Sequence, residues 1–128
     1  MQDRPTAGEL LEAIEEFLRD RSTKDPDRFQ RFQFLVAANS LAILRREWQD
    51  EEAFAYAEWR GLDGVLGSEE RPATFKDLRE ALEARNDRLC DQIADGAFDQ
   101  PAAEAALLSH LLETVSNKVR IATPNALA

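Results

Sequence analysis

The chain has 128 residues, the length of one ordinary domain, and 25 acidic against 16 basic residues give it a formal net charge of -9. Such an acidic surface repels nucleic-acid phosphates and anionic lipid headgroups, so we expect no nucleic-acid partner and no membrane partner. Only five glycines and five prolines, with an apolar fraction of 44%, favour helices over strands and predict an all-α protein.

The first helix is indicated by the capping-box spacing of Thr6 and Glu9, which satisfies two backbone N–H groups at a helix start. Apolar residues then recur with the period of a helix: Leu10, Leu11, Ile14, Phe17 and Leu18. This pattern predicts a helix that runs to about Arg19.

The second helix carries the most informative stretch of the chain. Asp25 can cap it, Pro26 suits its first turn, and the pattern continues to about Gln49. Residues 34–44 are apolar except for Asn39 and Ser40. Four positions fall within a narrow arc: Phe29, Phe32, Val36 and Ile43. Because other apolar residues lie on the remaining sides, we predict a central helix that its neighbours enclose nearly all round.

Three further helices complete the predicted fold. A third begins with residues 53–59 and directs Phe54, Trp59 and Leu62 inward; it ends in the region of Gly61, Gly64 and Gly67, before a loop at residues 67–73. A fourth begins after Thr74 and ends at Gly96, and a fifth extends from Pro101 to the Thr123-Pro124 pair. We therefore predict a single domain over residues 1–128, folded as a compact bundle of about five helices.

The sequence carries few signals for targeting or for metal chemistry. Its first residues lack the apolar core of a signal peptide, and no run approaches the roughly 18 apolar residues that a membrane span requires. Cys90 is the only cysteine, which excludes an intrachain disulfide and zinc motifs built on cysteine pairs. We predict a cytoplasmic protein without a metal or another cofactor.

Four segments, in order along the chain, resemble a known family: residues 5–14, 36–43, 82–96 and 110–124. The segment Val-Ala-Ala-Asn-Ser-Leu-Ala-Ile at 36–43 is the most specific of them. The family consists of bacterial all-helical proteins catalogued as a domain of unknown function. Its members are typically encoded beside aminoglycoside-phosphotransferase-like kinases and acyl-CoA dehydrogenases, so the resemblance implies an accessory role near such chemistry. It implies no active site.

Three polar residues are candidates for binding a small molecule. Asn39 lies within the apolar arc, where an unpaired buried amide costs about 1–3 kcal/mol, so we expect it to have partners. These partners belong either to a neighbouring helix, through backbone or a charged side chain, or to a ligand in a pocket. Arg46 is a candidate anion contact, and His110 is the only histidine. No set of nucleophile, base and charge stabiliser accompanies them, which disfavours an enzyme acting alone.

Two hypotheses of different classes follow from these features. In the first, the protein is an accessory or interaction protein whose exposed apolar surface binds a partner enzyme or a second copy, with Trp48, Phe54 and Tyr56 as the first candidates for that surface. In the second, it is a small-molecule binding module whose cavity near Asn39 takes an acyl or phosphorylated ligand. Binding experiments distinguish the two hypotheses.

Overall fold

The computed structural model describes residues 3–128, and within that range the chain is helical and contains no strand. Its elements are α1 (Ala7–Lys24), α2 (Arg28–Leu66), α3 (Phe75–Ala94), α4 (Pro101–Ala122) and the short 3-10 helix η1 (Pro124–Leu127). The all-α prediction is confirmed. The prediction of about five helices is wrong, because the described residues form four α-helices.

The difference arises in α2, which joins the predicted second and third helices into one helix of 39 residues. At 1.5 Å per residue this helix is roughly 58 Å long. The segment Asp50-Glu-Glu separates the two predicted helices, but it contains no Pro or Gly and the helix continues through it. Gly61 and Gly64 also lie within α2, and only Gly67 ends it.

The helix ends follow from local chemistry. The Thr6 side chain accepts a hydrogen bond from Glu9 N–H at 3.2 Å and the Glu9 carboxylate accepts one from Thr6 N–H at 2.7 Å, which confirms the capping box of α1. Thr74 caps α3 as predicted. α2 begins later than predicted, because Asp27 accepts from Phe29 N–H at 2.8 Å and therefore caps it in place of Asp25. Gly67 follows α2 with φ +95°, a conformation that favours glycine.

The chain divides into two compact units. The first comprises the residues up to Glu51 together with Ile121–Thr123, and the second comprises Glu52–Arg120 and Pro124–Ala128. The second unit contains a hydrophobic core formed by parts of α2, α3 and α4. Its buried members are Ala55, Trp59, Leu62, Leu78, Leu82, Leu89 and Leu107.

The first unit is built on a hairpin of α1 and the first part of α2. The two helices are antiparallel, since Glu15 pairs with Arg45 and Arg19 with Asn39, so that position numbers rise in one helix as they fall in the other. Only Ala38 and Ala42 are buried among its residues from 3 to 51. The prediction of an α2 enclosed nearly all round is therefore wrong for this part of the helix.

Candidate functional site

Many large apolar side chains of the first unit are exposed. Phe29, Phe32, Val36 and Ile43, which we call the α2 stripe, are 64%, 62%, 48% and 37% exposed. They form the arc that the sequence predicts to be buried. The small side chains Ala38 and Ala42 are the fully buried ones instead, Phe34 is half-buried, and Phe29 and Phe32 are left in contact with water.

α1 shows the same arrangement. It has no buried residue, and it exposes Leu10, Ile14 and Phe17, which are spaced as one face of a helix. A helical hairpin that needed no further partner would bury these apolar residues between its two helices. The first unit thus exposes more large apolar side chains than scattered surface residues account for.

Charged and polar groups join α1 to α2. Arg45 Nε donates to Glu15 Oε2 at 3.1 Å, and Arg19 donates both to Glu15 Oε1 at 3.1 Å and to Asn39 Oδ1 at 3.2 Å. The Glu15 side chain is only 12% exposed, so this network is partly shielded from water. The network links four residues of the two helices. It thereby sets the register of the hairpin, that is, which residues of α1 lie opposite which residues of α2.

Asn39 is exposed, so the expectation that it lies in an apolar interior is wrong. Its partner is nevertheless of one predicted kind, a charged side chain of a neighbouring helix. Arg46, a half-buried residue on the same helix, donates through Nε to the carbonyl oxygen of Ile121 at 2.6 Å. The role of either residue in binding a ligand stays a prediction.

The second unit contains a buried arginine that the sequence analysis missed. Arg85 is 1% exposed, and its guanidinium lies over the Trp59 ring at 4.3 Å from the centroid. Its Nη1 donates to Asp63 Oδ1 at 2.9 Å and its Nη2 donates to Gly67 O at 2.9 Å. Arg85 therefore binds the last turns of α2, where carbonyl groups lack partners within the helix.

Glu69 and Arg88 extend this cluster to the surface. Glu69 Oε2 lies 3.5 Å from Arg85 Nε, close enough for an ion pair but without a hydrogen bond to that nitrogen. Arg88 Nη1 lies 2.7 Å from Glu69 Oε1. The hydrogen bond from Arg88 holds the pKa of Glu69 below its ordinary value. The sequence does contain a signal for this buried arginine: Arg85 lies three residues after Leu82 and four before Leu89, on the same apolar helix face. An arginine on a core-facing helix position is buried only where it has partners.

His110 is buried against α2. A Cβ atom added at Gly61 would lie 2.2 Å from His110 Nδ1, so the imidazole occupies the space that the glycine leaves open. Burial lowers the pKa of His110, while the carboxylates of Glu58 and Glu113 act in the opposite direction and Arg85 lowers it further. This environment favours the neutral imidazole, and His110 serves there as a packed side chain of the second unit.

The three residues predicted for an interaction surface differ in exposure. Trp48, in the first unit, is 67% exposed. Phe54 and Tyr56, in the second unit, are half-buried. The Tyr56 hydroxyl donates to Glu52 Oε1 at 3.0 Å, and the Arg71 guanidinium lies 4.5 Å from its ring centroid. Of the three, Trp48 offers the most surface to a partner.

Two surface clefts of the second unit are lined by other residues. One, of about 440 Å³, lies beside Phe75, Arg79 and Glu83 on α3. The other, of about 410 Å³, lies between Ile93 and Leu108. Neither includes a residue predicted to bind a ligand.

The described residues 3–128 contain neither a cluster of metal ligands nor a helix that could span a membrane. Over that range no three or more His, Cys, Asp or Glu side chains are placed so that they could hold a metal ion. None of the helices described there combines the length and the hydropathy needed to cross a bilayer. Cys90 is exposed and carries a free thiol.

Fold and site together define an all-α protein whose distinguishing feature is an exposed apolar helix face. The chain belongs to the family described as a domain of unknown function, DUF6285, which matches residues 25–126. The resemblance seen in the sequence is confirmed to that extent. No curated protein and no solved structure shows significant similarity to the chain.

Proposed function

We propose that this protein is a cytoplasmic accessory protein that acts by binding another protein chain through the α2 stripe and Trp48. The observation that carries the proposal is the exposure of three large aromatic side chains, Phe29, Phe32 and Trp48, on the part of α2 before Glu52, where the buried positions are alanines. Exposed patches of this size on a soluble protein mark sites of association. Aromatic residues are also the side chains that contribute most to such contacts.

The chemistry of the described residues favours binding over catalysis. His110 is packed against Gly61, and Arg85 is occupied by Asp63, Gly67 and Trp59. Both residue types often serve as catalytic groups, but here they stabilise the second unit. The most strongly bound polar groups thus lie in the second unit, whereas the first unit exposes the aromatic side chains Phe29, Phe32 and Trp48.

The resemblance noted in the sequence supplies two candidate partners, an aminoglycoside-phosphotransferase-like kinase and an acyl-CoA dehydrogenase. The proposal expects at least one stable complex, with a partner enzyme or with a second copy. The test mixes the purified chain with each candidate enzyme and measures the mass of the complex by light scattering during size-exclusion chromatography.

A matched pair of variants makes this test specific. Replacing both Phe29 and Phe32 with Gln removes two of the three exposed aromatic side chains while keeping good helix formers, and it is expected to abolish the complex. Leu112→Gln, on α4, changes a side chain that is 70% exposed outside the proposed surface and leaves the complex intact. A chain that stays monomeric in every mixture, at every concentration, would overturn the proposal.

The ligand-binding alternative stays a prediction. Its candidate residues lie in different units, Asn39 and Arg46 in the first and His110 in the second. A thermal-shift screen with acyl-CoAs and sugar phosphates tests it, because a ligand that binds the native state raises the melting temperature.

A further inference from the structure

We infer that the α2 stripe is the contact surface between two copies of this chain, with the two α2 helices antiparallel and a two-fold axis near Asn39. This inference rests on the proposed function and deepens it by identifying the bound chain. In this dimer each copy contributes its hairpin of α1 and the first part of α2, so that four helices lie together. Three observations carry it: the area of the stripe, the charge at its two ends, and the amide at its centre.

The exposed area is close to what a stable dimer needs. The α2 stripe and the neighbouring exposed Leu35 present roughly 400 Å² of apolar surface, if a whole aromatic side chain is taken as about 200 Å² and an aliphatic one as about 120 Å². A standard interface buries about 800 Å² per partner, of which somewhat more than half is apolar. The stripe therefore supplies nearly all the apolar area that one partner contributes.

Charge along the stripe favours an antiparallel pair. Arg28 stands at the beginning of the exposed part of α2, and Asp50 stands near its end. Each lies eleven positions from Asn39, and at 3.6 residues per turn the two fall within about 40° of each other around the helix. Antiparallel helices bring Arg28 of each copy near Asp50 of the other. Parallel helices would bring like charges together at both ends, which is unfavourable.

Asn39 lies within the stripe and has an unused donor. Its Oδ1 accepts from Arg19, and within residues 3–128 its Nδ2 makes no hydrogen bond. Near a two-fold axis the two Asn39 amides meet, so that Nδ2 of each can donate to Oδ1 of the other, because a carbonyl oxygen accepts two bonds. A single asparagine in an apolar seam is known to fix register between helices. Asn39 is placed to do so here.

Sedimentation equilibrium of the full chain tests the inference. The wild-type protein is expected to have twice the mass of the 14.5 kDa chain at high concentration and to dissociate on dilution. Phe32→Gln is expected to raise the dimer dissociation constant at least tenfold, because Phe32 is one of the two aromatic residues of the contact and aromatic residues contribute most to such contacts. Leu112→Gln is the matched control and leaves the constant unchanged. Circular dichroism verifies that both variants remain helical.

A charge exchange tests the antiparallel arrangement. Arg28→Glu and Asp50→Arg each place two like charges together and are expected to raise the dissociation constant severalfold. The combined variant restores opposite charges, and its constant is expected to return to within about threefold of the wild-type value. A dimer that neither single variant weakens, or that the combined variant weakens further, overturns the antiparallel pairing.

Different experimental outcomes would overturn this inference and the proposed function. A monomer that still binds a candidate enzyme, and loses it with Phe32→Gln, overturns the inference while the proposed function stands. A dimer that Leu112→Gln dissociates and Phe32→Gln does not also overturns the inference. A monomer that binds neither enzyme overturns both.

Discussion

At the residue scale, the imidazole of His110 packs against Gly61. The glycine lies inside α2, where it weakens the helix by about 0.8–1.0 kcal/mol relative to alanine, so its presence there requires a reason. The imidazole of His110 supplies that reason, because it fills the position that a Cβ atom would take. Gly64, three residues later, has nothing within 4 Å of an added Cβ.

These two glycines make a matched pair for mutation. Gly61→Ala is expected to destabilise the protein by about 1–3 kcal/mol, the usual effect of overpacking a filled site. Gly64→Ala is expected to stabilise it by up to about 1 kcal/mol, because alanine favours the helix and meets no neighbour. Urea unfolding measures both, and equal effects of the two changes would contradict the described packing.

His110 also predicts a dependence of stability on pH. Burial lowers its pKa in the folded state below the value of 6.5 for an exposed histidine. The unfolded chain therefore binds the proton more readily, so the stability contributed by neutral His110 is complete above pH 6.5 and is lost as pH falls through the folded pKa. The urea midpoints of wild type and His110→Gln are expected to converge between pH 7.5 and pH 5.5. A constant difference would show that His110 does not titrate in this way.

Arg85 illustrates a buried charge whose two terminal nitrogens are hydrogen-bonded by their surroundings. Arg85→Met is expected to cost about 2–3 kcal/mol, because the hydrogen bonds to Asp63 and Gly67 involve a charged group and leave a helix end without its partner. Arg85→Lys is expected to be destabilising as well, since an ammonium cannot form the same planar fork over Trp59. The control is Arg88→Met, an exposed change with little expected effect. Urea unfolding at neutral pH compares the three variants.

At the element scale, α1 depends on its termini more than the other described helices do. It has no buried residue, so tertiary packing contributes less to its stability than to that of α3. Its capping box and the polar network to α2 therefore account for a larger share of its stability. α1 is therefore expected to open more readily than α3.

Removing the cap tests that expectation. Thr6→Ala is expected to weaken α1 by about 1 kcal/mol and to speed hydrogen exchange of its amides severalfold, without a change in α3. Thr74→Ala is the reciprocal control, because Thr74 accepts from Asp77 N–H at the start of α3. Faster exchange in both helices after the Thr6 change would contradict a local effect.

At the scale of the whole molecule, burial is unevenly distributed. The second unit holds the hydrophobic core, whereas the first unit, over its described residues, fully buries only two alanines and exposes most of its aromatic rings. A unit with little buried apolar surface is stabilised by what it binds. The association proposed above thus has a consequence for folding as well as for function.

This consequence can be measured by hydrogen exchange at two protein concentrations. Amides of residues 28–46 are expected to gain protection at the higher concentration, where the α2 stripe is covered, while those of α3 are expected to change little. Phe32→Gln is expected to remove the concentration dependence. Equal gains in α2 and α3 would instead indicate a contact elsewhere.

Much of the local structure was predictable from the sequence. The caps at Thr6 and Thr74, the all-α class and the apolar arc of α2 depend on interactions between residues close in the chain or on helical periodicity. The number of helices was not predictable, because a polar segment such as Asp50-Glu-Glu fits a loop and an exposed helical turn equally well. The candidate surface was half predictable: the sequence located the arc, but it assigned the arc to the interior.

The sequence by itself determined which residues share a helix face, since that follows from the 3.6-residue period. Only the tertiary structure decided which face is buried, because two helices can approach each other through alanines and a charged network as well as through aromatic rings. The placement of Arg85 and His110 was likewise decided by tertiary structure, since the groups that satisfy or shape them come from positions far away in the chain. In this protein, the apolar face left outside is the part from which its function is inferred.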